Sequence, residues 1–371
     1  MESDERVCSI ALTLCAGIGH INAKRLVTMV GCASDVFRYR KELPERFPDI
    51  SPSVVAALDN PSAFSRACRE IEFVEKNRLV CLTYVDEAYP SRLRDCEDAP
   101  LVLFFKGNTN LNALRIVSMV GTRKATEYGK QFCTDFVHDL AEMCPDVLLV
   151  SGLAYGIDIH SHRAALFEHL PTVGVLAHGL DRIYPYVHRK TAVDMLANGG
   201  LLTEFLTETN PDRHNFVSRN RIVAGMSDAT IVVESAAKGG SLITADLAEG
   251  YHRDCFAVPG RVNDNSSAGC NQLIRDNKAA LIESAEDFVK AMGWAEPMTK
   301  PIESVQRSLF VDLSEEETLV VNLLSHQGDL HVNTLVVETN IPVNRMSGLL
   351  FELEMKGVVK ALVGGVYHLL S

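Results

Sequence analysis

Three glycine-bearing loops in the middle of the chain carry the residue types best suited to holding a phosphate. They are Val120-Gly121-Thr122-Arg123, Ser151-Gly152-Leu153-Ala154-Tyr155-Gly156-Ile157-Asp158 and Lys238-Gly239-Gly240-Ser241-Leu242-Ile243-Thr244. Each follows an apolar, β-like run. Glycine at a strand-to-helix turn lets main-chain N–H groups approach an anion closely, and the helix that follows adds the positive end of its dipole. Near them lies Arg219-Asn220-Arg221, whose forked donors suit phosphate oxygens, and Arg123 projects from the first loop. Ser151, Lys238, Ser241 and Thr244 add hydroxyl and ammonium donors, while Tyr155, Tyr184, Tyr186 and Phe216 offer faces on which bases can stack. The competing reading of Arg219 and Arg221 is a structural ion pair with Glu204 or Glu234. Their coincidence with the glycine loops favours the anion.

Other chemistries find less support. No Gly-x-Gly-x-x-Gly follows a strand and no Gly-x-x-x-x-Gly-Lys-[Ser/Thr] occurs, so nicotinamide binding and ATP hydrolysis lose their usual sequence basis, and no cofactor is expected. Asp158-Ile-His160-Ser-His162 resembles a ligand run, but helical residues two apart point in nearly opposite directions. No metal site is expected; Asp158 reads as a helix cap and His162 as a packed core histidine. Ser151 lacks the Gly-x-Ser-x-Gly setting of a nucleophile.

These loops need a rigid frame, and the α/β alternation from Arg115 onward supplies one. Strands are predicted over 116–120, 147–150, 172–176, 200–204, 230–233 and 255–257. Helices are predicted over 126–143, 158–169, 189–198, 221–225 and 242–252, with an extended lead-in over 81–110. Runs such as Ile231-Val232-Val233 imply strands buried on both faces, as in a doubly wound, mostly parallel sheet. Residues 1–80 read as helical, over 7–15, 21–29, 53–57 and 64–80. There Gly17-Ile18-Gly19 links two helices, which suits either a phosphate-touching helix-hairpin-helix or a plain packed turn. A Pro-bearing linker follows at 293–306. Residues 307–371 then give helices over 315–324, 332–338 and 343–356 and a hairpin turning at Gly364-Gly365, which is a winged-helix pattern.

The whole chain has 371 residues and a net charge of −12, which argues against a protein that coats nucleic acid by bulk electrostatics. A polyanion must therefore meet a local basic site. The ten cysteines include no Cys-x-x-Cys pair and read as core residues of a reducing cytosol. No apolar run reaches bilayer length, so no membrane is expected. Residues 301–371 hold four Lys/Arg against nine Asp/Glu, a balance that would repel a duplex from the third helix. Protein, or this chain itself, is the expected partner of that tail.

Five motifs in fixed order resemble the DprA/Smf (DNA-processing protein A) family. They are Ser151-Gly-Leu-Ala-Tyr-Gly-Ile-Asp158, Gly179-Leu-Asp-Arg-Ile-Tyr-Pro185, Phe216-Val-Ser-Arg-Asn-Arg-Ile-Val-Ala-Gly225, Gly240-Ser-Leu-Ile-Thr244 and Val258-Pro-Gly260. The resemblance is close over about residues 80–290 and looser outside them. It implies an extended Rossmann-like domain (81–292) that dimerises and carries a basic pocket for single-stranded DNA. It also implies a helical front domain (1–80) and a winged-helix tail. The implied role is that of a cytosolic, non-enzymatic protein that protects DNA taken up in natural transformation and loads the RecA recombinase onto it. Carried over by motif, the DNA-binding residues are Gly121, Arg123, Ser151, Gly152, Arg219, Asn220, Arg221, Lys238, Gly240, Ser241 and Thr244. Tyr155 stands where the family often has Arg, and Lys238-Gly239-Gly240 where a Ser-Gly pair is common. The alternative is a related nucleotide N-glycosidase, which would need Arg219 or Arg221 to act with Glu249. Its fuller Pro-Gly-Gly-x-Gly-Thr loop is absent.

Overall fold

The computed structural model describes residues 4–47, 50–294, 313–362 and 365–370. Residues 1–295 form one compact unit and 296–371 a second. The linker expected at 293–306 and the first residues of the tail fall mostly outside the described residues, as does Gly364 of the predicted turn.

The first unit is built on a nine-stranded sheet. Its strands are β1 (Val80–Thr83), β2 (Val102–Gly107), β3 (Ile116–Val120), β4 (Leu148–Ser151), β5 (Thr172–Val175), β6 (Gly199–Thr203), β7 (Ala229–Val232), β8 (Asp254–Ala257) and β9 (Ala280–Leu281). They lie in the order β1-β2-β6-β5-β4-β3-β7-β8-β9. All pairings from β6 to β9 are parallel, and β1–β2 and β2–β6 are antiparallel. The expected lead-in is thus part of the sheet, and β9 is a strand that its two residues were too few to announce.

Period-two alternation explains the two-sided burial. On β3, Val117 and Met119 join one core with Phe136, Leu140, Ile157 and Phe288, while Ile116 and Val120 join the other with Leu93, Ile222, Met226 and Leu273. Between them Ser118 is fully buried and satisfied by the Thr230 hydroxyl at 2.8 Å. Helices Glu127–Met143, Ile157–Phe167 and Ala285–Ala291 therefore cover one face, and Arg213–Gly225, Gly240–Gly250 and Ala268–Arg275 the other. The chain steps outward from β3 through β4, β5 and β6, then returns to place β7 on the other side of β3. That reversal opens a crevice at the carboxyl ends of β3, β4 and β7.

The described residues of the front of the chain form six helices: Glu5–Thr13, His20–Val30, Ala33–Arg38, Leu43–Arg46, Pro52–Leu58 and Pro61–Lys76. The last stops short of the predicted end because Val80 pairs with Phe105 in the sheet. These helices share one core with Cys81, Leu101, Val102 and Phe104. Glu70, 2 % exposed, ties them further to the sheet by accepting from the Thr207 amide (3.0 Å) and hydroxyl (2.6 Å).

The second unit has helices Glu315–Gln327, Val332–Thr339 and Val343–Met355 around Val320, Leu324, Leu335, Met346, Leu349 and Leu353. Its sheet has three strands rather than the expected two: β10 (Leu330–His331), β11 (Val359–Leu362) and β12 (Val366–Leu369), in the order β10-β12-β11. Three helices closed by this small sheet make a winged helix. No described helix is long and apolar enough to cross a membrane.

Candidate nucleic-acid interface

The crevice holds a cavity of about 760 Å³ bounded by the loops after β3 and β7 and by one side of helix Arg213–Gly225. Gly121, Arg123, Arg219, Asn220, Lys238, Gly240, Ser241 and Thr244 all line it, as the loop chemistry requires. Arg213 and Phe216 line it as well. Its cations are Arg123, Arg213, Arg219 and Lys238; its carboxylates are Asp158 and Asp246.

The loops are fixed by main-chain geometry. The Thr122 amide donates to the Glu234 carbonyl at 2.7 Å, which ties the β3 loop to the end of β7. The Glu234 carboxylate, fully buried, accepts from the Thr126 amide (2.9 Å) and hydroxyl (2.5 Å) at the start of helix Glu127–Met143. Glu234 is thereby occupied and pairs with neither arginine. A side chain at Gly121 would collide with Ile157 and the Glu234 carbonyl, so only glycine lets these two loops close on each other. Helix Gly240–Gly250 starts at Gly239 with no side-chain cap, which leaves its positive end facing the cavity.

Arg123 is exposed, and its guanidinium lies 4.7 Å from the centre of the Phe216 ring. Arg219 sits beneath that ring, 6.0 Å from its centre and only 4 % exposed. Its guanidinium donates to the carbonyls of Gly152 (2.7 Å) and Val175, while Nε has no hydrogen-bond partner among the described residues. Burial pulls its pKa down to about 10, partly offset by the Asp158 charge, so it stays cationic at neutral pH. Burial likewise raises the Asp158 carboxyl above its ordinary range, opposed by Arg219. Arg219 is the charged floor of the cavity, and Arg123, Arg213 and Lys238 are its exposed rim.

Three predicted residues lie elsewhere, each for a physical reason. Arg221 is two positions from Arg219 and so projects to another side of the helix. There it is 6 % exposed, pairs with Glu204 and donates to the Asp98 carbonyl. Arg221 is thus the one in an ion pair, whereas Arg219 lines the cavity. Ser151 is fully buried and donates to the Met119 carbonyl at 2.6 Å. Gly152 is needed because a Cβ there would run into the Arg219 guanidinium. It makes room for a cation instead of cradling an anion. Ser241 lines the cavity, but its hydroxyl is directed at Ser235 Oγ, 2.9 Å away.

The minor candidates resolve in the same way. Asp158 is not the helix cap; Gly156 is, and Asp158 in the first turn accepts from the Ala154 amide at 3.4 Å. At the front hairpin, Lys24 donates to the carbonyls of Arg94 (3.0 Å) and Cys96 (2.6 Å), and His20 lies 3.6 Å from Glu204. Lys24 thus packs that hairpin onto the α/β body. No cluster of three or more metal-binding side chains occurs among the described residues.

His162 is fully buried, with Nδ1 2.7 Å from the Thr172 hydroxyl and Nε2 without a partner among the described residues. Burial, reinforced by Arg219, pushes its pKa from 6.5 down to about 3. A histidine depressed in this way refuses a proton that the unfolded chain binds. Its contribution to stability is complete above pH 6.5 and shrinks as pH falls toward 3. Lowering pH from 7 to 5 is therefore expected to remove about 2 kcal/mol through this group. Urea midpoints at the two pH values should show the loss, and His162→Gln should shrink the difference.

Phe216 is read from the sequence only as a stacking face and Arg213 is not read as a site residue, because the stretch Arg213-His214-Asn215-Phe216 shows no apolar periodicity and the helix is predicted only from 221. The available signal was Asp212, whose carboxylate accepts from the Asn215 amide at 2.9 Å and starts the helix.

Comparison with known proteins agrees with this geometry. Residues 71–293 match the family model for DNA recombination-mediator protein A, and 310–365 match the DprA winged helix domain. A putative DNA processing protein DprA of Mycobacterium tuberculosis is 35 % identical over 312 residues, covering 81 % of this chain and 79 % of that one. Protein Smf of Escherichia coli is 32 % identical over 287 residues, covering 76 % of this chain and 75 % of that one. The X-ray structure of DNA processing protein A from Streptococcus pneumoniae superposes with a TM-score of 0.57 at 31 % identity, covering 68 % of this chain and 90 % of that one. The Helicobacter pylori protein, described by its single-stranded DNA binding mode, gives 0.53 at 30 % identity and covers 58 % of this chain and 96 % of that one. By sequence, by winged-helix tail and by the fold that shapes the crevice, the chain belongs to the DprA/Smf family of DNA recombination-mediator proteins.

Proposed function

We propose that this protein binds single-stranded DNA in the crevice, protects incoming DNA during natural transformation and loads the RecA recombinase onto it, without catalysing a reaction. The observation that carries this reading is the convergence of Arg123, Arg213, Arg219 and Lys238 on the positive end of an uncapped helix, in a chain of net charge −12. A local cationic notch on an anionic molecule selects a polyanion at one place and repels it elsewhere. The Phe216 ring beside two guanidinium groups adds a stacking face, which suits unpaired bases better than a duplex. The remaining proposed contacts are Gly121, Asn220, Gly240, Ser241 and Thr244, with Ser151, Gly152 and Arg221 supporting them from behind. A homodimer formed through the Rossmann-like domain, a cytoplasmic setting and a helical front unit ending near residue 80 belong to the same proposal.

With three or four phosphates neutralised, log affinity for an oligonucleotide should fall against log salt with a slope of about −2 to −3. A slope near zero would remove the electrostatic basis of the reading. The glycosidase alternative needs an Arg–Glu pair in the cavity. Glu249 instead lies 3.6 Å from Lys278 and does not line it. Incubation with nucleoside monophosphates should accordingly release no free base.

The tail is proposed to bind protein, not DNA. Arg345 pairs with Glu316 at 2.9 Å and Lys356 with Glu317 at 2.7 Å, so carboxylates already neutralise one cation of helix Val343–Met355 and the one that caps its end. Deleting residues 301–371 should leave oligonucleotide affinity nearly intact. A tenfold loss in a gel shift would contradict this.

A further inference from the structure

The notch continues into a surface that the cationic residues do not explain. Tyr184 contacts Phe216 with ring centres 5.9 Å apart, and Tyr186 follows across a buried Pro185. Tyr184 is 44 % exposed, Tyr186 77 % and Val187 65 %, so a row of apolar faces meets water here. Among the described residues neither tyrosine hydroxyl has a hydrogen-bond partner.

The segment bearing these rings is held firmly. The Tyr184 amide donates to His178 Nε2 at 3.2 Å. At its far end buried His188 has Nδ1 2.9 Å from the Leu153 carbonyl. Arg182 donates to Asn210 at 2.7 Å. A backbone held this way, with the Tyr184 ring already packed on Phe216, has less freedom to lose when something stacks on the segment.

Charge selects the occupant. Arg182 pairs with Asp181 at 2.9 Å, but Arg189 and Lys190 beyond the rings have no carboxylate partner among the described residues, although carboxylates outnumber cations in the whole chain by 48 to 36. An apolar ledge edged with cations and continuous with an anion-binding notch matches a chain that alternates phosphate and aromatic base.

We infer that a single strand held in the notch runs on across Phe216 to Tyr184 and Tyr186, where its next bases stack. This inference rests on the single-strand reading above and adds the path of the strand and the residues that grip its bases.

The test uses the full chain and oligothymidylates of about 4 and about 12 nucleotides, lengths that bracket a single binding groove. The double variant Tyr184→Ala/Tyr186→Ala should bind the longer strand at least about 10-fold more weakly and the shorter one as before. The pair Tyr184→Phe/Tyr186→Phe should retain wild-type affinity, which separates lost stacking from a damaged fold. A 12-mer that is abasic outside four nucleotides carries the same phosphates and should bind wild type as weakly as the intact 12-mer binds the alanine variant. Equal binding of the abasic and intact strands, or wild-type affinity in the alanine variant, would overturn the ledge. So would full oligonucleotide binding together with lost self-association in sedimentation, which would give these rings to a second copy of the chain. If Arg123→Glu leaves both lengths bound normally, the notch itself is wrong. If it removes both while the tyrosine variants change nothing, only the ledge fails.

Discussion

Arg123→Glu is expected to weaken single-strand binding about 100-fold while leaving the melting temperature unchanged. The side chain is exposed and its contact is with the Phe216 ring; its charge is the last-named influence on buried Asp158 and repels buried Arg219, so the two effects of reversing it on the fold oppose each other. Removing a charge-assisted hydrogen bond to phosphate accounts for about 1.5–3 kcal/mol. The new carboxylate then repels the same phosphate, and the cation over the ring is lost as well. The salt slope should also become shallower by about 0.7 for the missing phosphate contact. An oligonucleotide titration at several salt concentrations, read beside a thermal melt, checks all three. Unchanged affinity would mean that the strand avoids the β3 loop.

Arg219 should behave in the opposite manner. Arg219→Ala leaves the carbonyls of Gly152 and Val175 without their donor and Asp158 buried without its compensating cation. Breaking such a buried charged arrangement costs about 3–5 kcal/mol, or a fall in melting temperature on the order of 10 °C for a unit of this size. Loss of DNA binding by this variant is then a loss of the loop between β4 and helix Ile157–Phe167, not of one phosphate contact. Arg219→Lys keeps the charge but loses the two-pronged donor, and should fall between the two. A melt unchanged from wild type would make Arg219 a ligand contact alone. The contrast matters because charge reversal at 123 and at 219 look equivalent by composition, whereas burial separates binding from folding.

The letters of this chain determined a good deal about it. β-Branched runs such as Ile231-Val232-Val233 mark strands buried on both faces, as in a covered parallel sheet, and the glycines before Arg123 and Ser241 mark the strand-to-helix turns. Local propensity and period suffice for features of that kind. Only the tertiary structure decided which arginine of Arg219-Asn220-Arg221 meets the cavity, because helical rotation sends residues two apart to different sides and the neighbours differ: Glu204 on one, the carbonyls of Gly152 and Val175 on the other. It also decided that Glu234 caps a helix through Thr126, that Gly152 clears space for a guanidinium, and that Arg213 and Phe216 join the rim. Each of these depends on contacts between residues far apart along the chain, and no run of neighbouring side chains encodes them. Spacing predicted where glycine loops and cations could meet; packing selected the side chains that line the cavity there.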